Sequence, residues 1–173
     1  NKYYSNNSWI EASKSIMTTD TFPKLSRSVC KVDDKKIDIV GIAKGSGMIA
    51  PNMATMLAFI FTNANISSYV LQSLLEKINE KTFNSITVDN DTSTSDTVLL
   101  VSVNDEKKRK IENINDKQLK HFKRSLYFVM LDLAKQIVRD GEGATKFIHV
   151  KIKNATSKKS AKKIGFSIAN SPL

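Results

Sequence analysis

Apolar residues in this chain recur with two different periods, and the period separates its helices from its strands. Between Ile66 and Thr82, Val70, Leu71, Leu74, Leu75 and Ile78 have the spacing of one helical face, and Ser67 or Ser68 is available as its cap. A longer stripe of Leu119, Phe122, Leu126, Val129, Met130, Leu133 and Ile137 predicts a helix from about Asp116 to Val138. Ile37–Ala43 and Met56–Thr62 are short, partly β-branched apolar runs that read as strands, as do Ile86–Val88, Thr97–Val103 and Phe147–Ile152. Ser8–Ser15 reads as the tail of a short helix and Ser157–Ala169 as a final, lysine-rich one. Asp105–Lys117 carries only isolated apolar residues among many charges and reads as a loop or insertion. Strands and helices in this mixture predict an α/β layered fold, with sheet packed under helices.

Composition narrows the picture without sharpening it. With 173 residues, 40% of them hydrophobic, the chain can bury one core, so one domain is the default. No apolar run reaches the roughly 18 residues needed to cross a bilayer. The first residues, Asn1-Lys2-Tyr3-Tyr4, resemble neither a signal peptide nor an initiator methionine, so the chain is expected to begin inside a larger product. Cys30 is the only cysteine, which excludes an internal disulfide and favours a reducing cytoplasm. It reads as a bystander thiol, because neither His121 nor His149 stands in a context that marks a base.

A net charge of +10 raises nucleic-acid binding as a competing function. Lysines cluster in Lys107–Lys110, Lys117–Arg124 and Lys158–Lys163, and the one phenyl ring within these runs that could stack on a base, Phe122, belongs to the buried stripe of the predicted helix. These runs read as solvated faces and loops, and no nucleic-acid partner is expected.

The chemistry concentrates in GIAKGSGMIAPNMATMLAFIFT, from Gly41 to Thr62. Gly45 and Gly47 permit backbone angles closed to larger residues and Pro51 fixes one φ, so the peptide before Thr55 could be held in a strained bend. Strain of that kind favours attack by the Thr55 hydroxyl on the Ala54 carbonyl. Hydrolysis of the resulting ester would leave Thr55 as a new N-terminus, whose α-amine, with a reference pKa of about 7.7–8.0, can serve as base for its own hydroxyl. Taken alone, Thr55 reads as a β-branched residue opening a strand in preference to a nucleophile.

Other motifs fail on their own terms. In KGSG, Lys44 precedes the glycines, the reverse of a phosphate-cradling Walker loop. Asp89-Asn90-Asp91-Thr92-Ser93 begins like a calcium loop, but Thr94 occupies the place of the glycine and Leu100 that of the bidentate glutamate. Two isolated histidines and one cysteine offer no zinc spacing, so no metal site is expected. The polar DNDTSTSD stretch reads as a turn whose side chains bond their own backbone.

In KGSGMIAPNMATML, Lys44–Leu57, the chain resembles the ornithine acetyltransferase family, the bifunctional glutamate N-acetyltransferases of arginine biosynthesis. Further blocks follow the family's order: TTDTFPK at Thr18–Lys24, FNSITVDNDTSTSDT at Phe83–Thr97, RDGEGATKFI at Arg139–Ile148 and the closing IANSPL. Asn90 stands where the family usually has Gly, and Ser95 where many members have Asn.

The resemblance implies self-cleavage at Ala54-Thr55, dividing the chain into the end of an α chain, residues 1–54, and the start of a β chain, residues 55–173. It implies Thr55 as nucleophile and acyl carrier, and substrate contacts from Thr18, with Thr19 as close rival, from Lys44, from Thr55 and from Glu142. The implied fold is a layered sandwich of helices over two central sheets, related in logic to N-terminal-nucleophile hydrolases. The implied reaction moves acetyl from N-acetylornithine to glutamate with no cofactor, acetyl-CoA serving many relatives as an alternative donor. The implied assembly is a cytoplasmic heterotetramer with two copies of each cleaved piece.

The family's Thr-Gly oxyanion pair and its C-terminal substrate residues have no counterpart in these residues, so a central fragment, inactive alone, is expected. A self-cleaving aminopeptidase of related fold and a basic binding module or inactive remnant are the alternatives.

Overall fold

In the computed structural model, residues 6–46, 56–88, 95–103 and 109–171 are described. Elements follow in the order α1 (Asn6–Ser15), β1 (Lys24–Val32), β2 (Lys35–Lys44), β3 (Leu57–Thr62), α2 (Ser68–Asn79), a 3-10 turn at Phe83–Ser85, β4 (Thr97–Ser102), α3 (Leu119–Arg139) and α4 (Lys158–Ala169). The strands form one sheet in the order β1-β2-β3-β4. The first two pairings are antiparallel, and β3 pairs with β4 in parallel after a crossover that contains α2. The architecture is the expected α/β layering, and the described residues hold this one sheet of the two that the resemblance implies.

β1 has no counterpart among the expected strands. Its inward positions include Lys24, Ser26 and Cys30, so its apolar alternation is too weak to read. Its partner supplies the missing signal: Val32 pairs with Lys35 across a tight hairpin whose two central residues, Asp33 and Asp34, have φ of 47° and 58°. Positive φ at both positions matches the natural twist of the strands, and aspartate is among the few non-glycine residues that tolerate it.

The core lies between the sheet and α3. Helix α3 buries Leu119, Phe122, Leu126, Val129, Met130, Leu133, Ala134 and Ile137, the stripe that its spacing predicts together with Ala134. Apart from Ala134, such side chains contribute about 1.5–3 kcal/mol each when fully buried. They meet Ile37, Ile39, Ala43, Ala58 and Ile60 from the sheet. Gly41 is the point of closest approach: a Cβ there would fall 2.7 Å from Leu133 Cδ1 and 3.0 Å from Val129 Cγ1. The opposite face of the sheet carries α1, whose Trp9 ring lies 5.3 Å from that of Phe61.

Capping follows the sequence closely. Ser67, rather than Ser68, caps α2 by accepting the Val70 N–H, and Ser157 caps α4 by accepting that of Ser160. Helix α3 starts at Leu119, three residues after the expected Asp116, whose Oδ1 instead accepts the Gln118 N–H at 2.9 Å in the preceding turn. Within the charged segment expected to be a loop, Ile111 is buried and forms a bridge with Ile66.

Two expected strands are absent. Ile86–Val88 follows the 3-10 turn as irregular chain, and Ile86 and Val88 pack against the core without joining a ladder. Phe147–Ile152 is also irregular, with Ile148 76% exposed and Phe147 beneath the Arg139 guanidinium at 5.3 Å. Alternation describes a surface that suits a sheet, but a strand also needs a neighbour with free hydrogen-bonding groups. No described strand pairs with either segment. Among the described residues, no helix is long and apolar enough to cross a membrane.

Candidate active site

The β2–β3 ladder ends at the pair Lys44 and Leu57, and at this end four segments of chain converge. Lys44 is buried at 7% exposure, and its Nζ donates to Thr18 Oγ1 at 3.3 Å. The Ser46 hydroxyl lies 2.8 Å from that of Thr19, and the Ser46 carbonyl accepts the Glu142 main-chain N–H at 3.0 Å. Thr18, Thr19, Lys44 and the Glu142 backbone thus share one end of the sheet, although the sequence separates them widely. The Glu142 side chain is exposed in a turn that Gly143, at φ 70°, completes. Ala54 and Thr55 lie outside the described residues, as do the first six residues, 89–94, of the DNDTSTSD turn.

Gly45 adopts φ 137°, which side-chain-bearing residues rarely reach, and a Cβ there would sit 3.3 Å from the Cα of Met56. Its N–H donates to Asp20 Oδ1 at 2.7 Å. The other oxygen of Asp20 accepts the Thr18 N–H at 3.1 Å, so one carboxylate ties the threonine loop to the glycine turn.

Beneath these contacts lies a charged cluster that the sequence does not single out. Lys24 has no exposed surface, and its Nζ lies 2.5 Å from both Asp20 Oδ1 and Asp140 Oδ2. Asp140 also accepts the Thr21 N–H at 3.0 Å through Oδ2 and the Thr21 hydroxyl through Oδ1. The Lys24 ammonium further lies 4.9 Å from the centre of the Phe22 ring. Burying three charges is costly unless each is paired and hydrogen-bonded, and here each is. Burial pushes the Asp20 carboxyl up, but the Lys24 hydrogen bond, the Gly45 and Thr18 amides and the Lys24 charge together hold it below its ordinary value. The available signal was only that Asp20 and Lys24 stand within TTDTFPK and Asp140 within RDGEGATKFI, two of the blocks on which the family resemblance rests.

Met56 is held from the far side. Its N–H donates to Asp96 Oδ1 at 2.9 Å, and its carbonyl accepts the Thr97 N–H at 3.0 Å.

Cys30 pairs with Ile37, toward the opposite end of the β1–β2 ladder from Lys24 and Ala43. It is buried, and burial pushes its thiol up, an effect that the Asp38 charge increases and a Ser125 hydrogen bond only partly opposes. A thiol in that state is a poor nucleophile. His121 and His149 are both exposed. Among the described residues, no cluster of His, Cys, Asp or Glu could hold a metal ion.

Comparison with known proteins gives a consistent set of relatives. The ArgJ family model matches residues 2–173. The arginine biosynthesis bifunctional protein ArgJ of Nitrobacter winogradskyi is 52% identical over 168 residues, covering 95% of this chain and 40% of that protein. That of Caulobacter vibrioides is 51% identical over 165 residues, covering 95% of this chain and 41% of that protein. This chain therefore spans about 40% of the length of the curated relatives it matches. A crystal structure of the arginine biosynthesis bifunctional protein argJ from Bacillus halodurans is 40% identical, with a TM-score of 0.47 over 55% of this chain and 43% of that one.

Proposed function

The chain belongs to the ArgJ family, and from that premise we propose that it carries the self-cleaving nucleophile and part of the substrate site of an acetyltransferase of arginine biosynthesis. The observation that carries this reading is the convergence of Thr18, Lys44 and the Glu142 turn at the sheet end that continues into KGSGMIAPNMATML.

Maturation begins when the Thr55 oxygen attacks the Ala54 carbonyl carbon. The C–O ester forms, the C–N bond breaks, and the departing nitrogen takes the proton that the hydroxyl releases. Water then cleaves the ester, leaving a carboxylate on Ala54 and both a free amine and a free hydroxyl on Thr55, and dividing the chain into residues 1–54 and 55–173.

In turnover, the Thr55 amine takes the proton of its own hydroxyl as that oxygen attacks the acetyl carbonyl of N-acetylornithine. Ornithine leaves with a proton on its amine, and glutamate attacks the acetyl ester to give N-acetylglutamate and regenerate the hydroxyl. The Lys44 ammonium, kept near Thr18 and largely shielded from water, would bind a substrate carboxylate. The exposed Glu142 carboxylate would pair with the substrate's amino group. Thr18 supplies a hydroxyl beside the same ammonium, and Thr19 is tied instead to Ser46. The exchange needs no cofactor, and acetyl-CoA would enter as a substrate. The working assembly is a cytoplasmic heterotetramer with two copies of each cleaved piece.

Mass spectrometry of the purified enzyme with and without Thr55→Ala tests the first half of the reading. The wild type should yield a piece ending at Ala54 and another beginning at Thr55, and the variant should stay whole. An acetyl-transfer assay from N-acetylornithine to glutamate tests the second half, and peptide hydrolysis in its place would assign the site to a self-cleaving aminopeptidase.

A further inference from the structure

Asp96 closes the polar stretch before β4, and the turn reading of that stretch has its side chains bonding their own backbone. Asp96 reaches across the structure instead. Its Oδ1 accepts the N–H of Met56, 40 residues away in sequence, at 2.9 Å. The Met56 carbonyl accepts the N–H of Thr97 at 3.0 Å, so two consecutive residues at the start of β4 engage both main-chain polar groups of Met56. On the other side, the Gly45 N–H is committed to Asp20. The ladder from β2 therefore gives Met56 no equivalent grip beyond the Lys44–Leu57 pair.

We infer that Asp96 is a positioning residue for the nucleophile, because it holds the peptide N–H that directly follows Thr55 in the chain. The inference rests on the function proposed above. Before cleavage, this bond restrains the amine side of the cut. After cleavage, Met56 is the one residue between the new terminus and β3, and free termini fray unless they are tied down. A carboxylate makes a stronger tie to an amide than a neutral acceptor does. A nucleophile that must meet a carbonyl within a narrow range of angles depends on such a tie more than the fold does.

The expected signature separates positioning from general support. Asp96 is exposed, so its replacement should leave Tm close to that of the wild type. In the enzyme as it occurs, Asp96→Ala should slow self-cleavage and lower kcat by about tenfold or more, with KM for both amino-acid substrates unchanged. Asp96→Asn keeps an oxygen acceptor in place and should recover most of both rates.

Rates for Asp96→Ala within about twofold of the wild type would overturn the inference, as would a rise in KM with kcat untouched, or an Asp96→Asn variant as slow as Asp96→Ala. If Asp96→Ala fails to fold, Asp96→Glu decides. Its carboxylate is displaced by one methylene and should slow both steps, so wild-type rates would again refute the role. A wild type that never cleaves brings down the parent reading and this inference together, whereas a cleaving wild type with indifferent Asp96 variants removes only the inference.

Discussion

Lys24 Nζ lies 2.5 Å from Asp140 Oδ2, joining residues 116 positions apart through side chains almost wholly shielded from water. The pair ties the first residue of β1 to the turn just after α3. With Asp20 on its other flank, Lys24 supports the loop, the glycine turn and the Glu142 turn that make up the candidate site.

Removing the ammonium should therefore be far more harmful than removing a surface lysine. Lys24→Met leaves two carboxylates facing each other in the interior, and breaking a buried pair in this way costs about 3–5 kcal/mol. Chemical denaturation should register that loss, whereas the same change at exposed Lys120 should stay within about 0.5 kcal/mol.

The same cluster predicts how stability responds to acid. The folded-state pKa of Asp20 lies below its ordinary value of 3.8, so folding favours the ionised form. Its contribution is fully present above that ordinary value and is lost as pH falls through the lower folded one. Unfolding free energy measured from neutral pH downward should drop in acid, and Asp20→Asn should start lower and show a shallower acid limb.

Gly41 sets the distance between sheet and helix. Gly41→Ala would drive a Cβ to 2.7 Å from Leu133 Cδ1, and overpacking of this kind costs about 1–3 kcal/mol. Leu133→Ala alone should also destabilise, by about 2–5 kcal/mol, because it leaves a cavity. In the double variant the two should be less costly than their sum, a coupling that a thermodynamic cycle on urea unfolding measures directly.

Lys44→Met tests the substrate-binding role. On the proposed role, loss of this buried ammonium should raise KM for the amino-acid substrates about tenfold or more, since charge-assisted hydrogen bonds contribute about 1.5–3 kcal/mol. Steady-state kinetics would count against that role if kcat fell while KM held constant.

Much of this molecule is written locally. The stripes of α2 and α3 and the strands β2, β3 and β4 follow from residue spacing, because one buried face repeats at the period of its element. The family is legible in the same way, since KGSGMIAPNMATML and DGEGATK are contiguous strings.

Tertiary structure decided what depends on a partner. β1 is a strand because β2 pairs with it through a two-aspartate turn, despite its weak apolar alternation. Ile86–Val88 and Phe147–Ile152 have the right residues but no described neighbour, so they form no ladder. Lys24, Asp20 and Asp140 read as three ordinary charges until the fold closes over them, and Asp96 as a turn residue until β4 lies beside Met56. Periodicity records which face of an element avoids water, but a hydrogen bond or ion pair between distant segments exists only once the chain has brought both ends together.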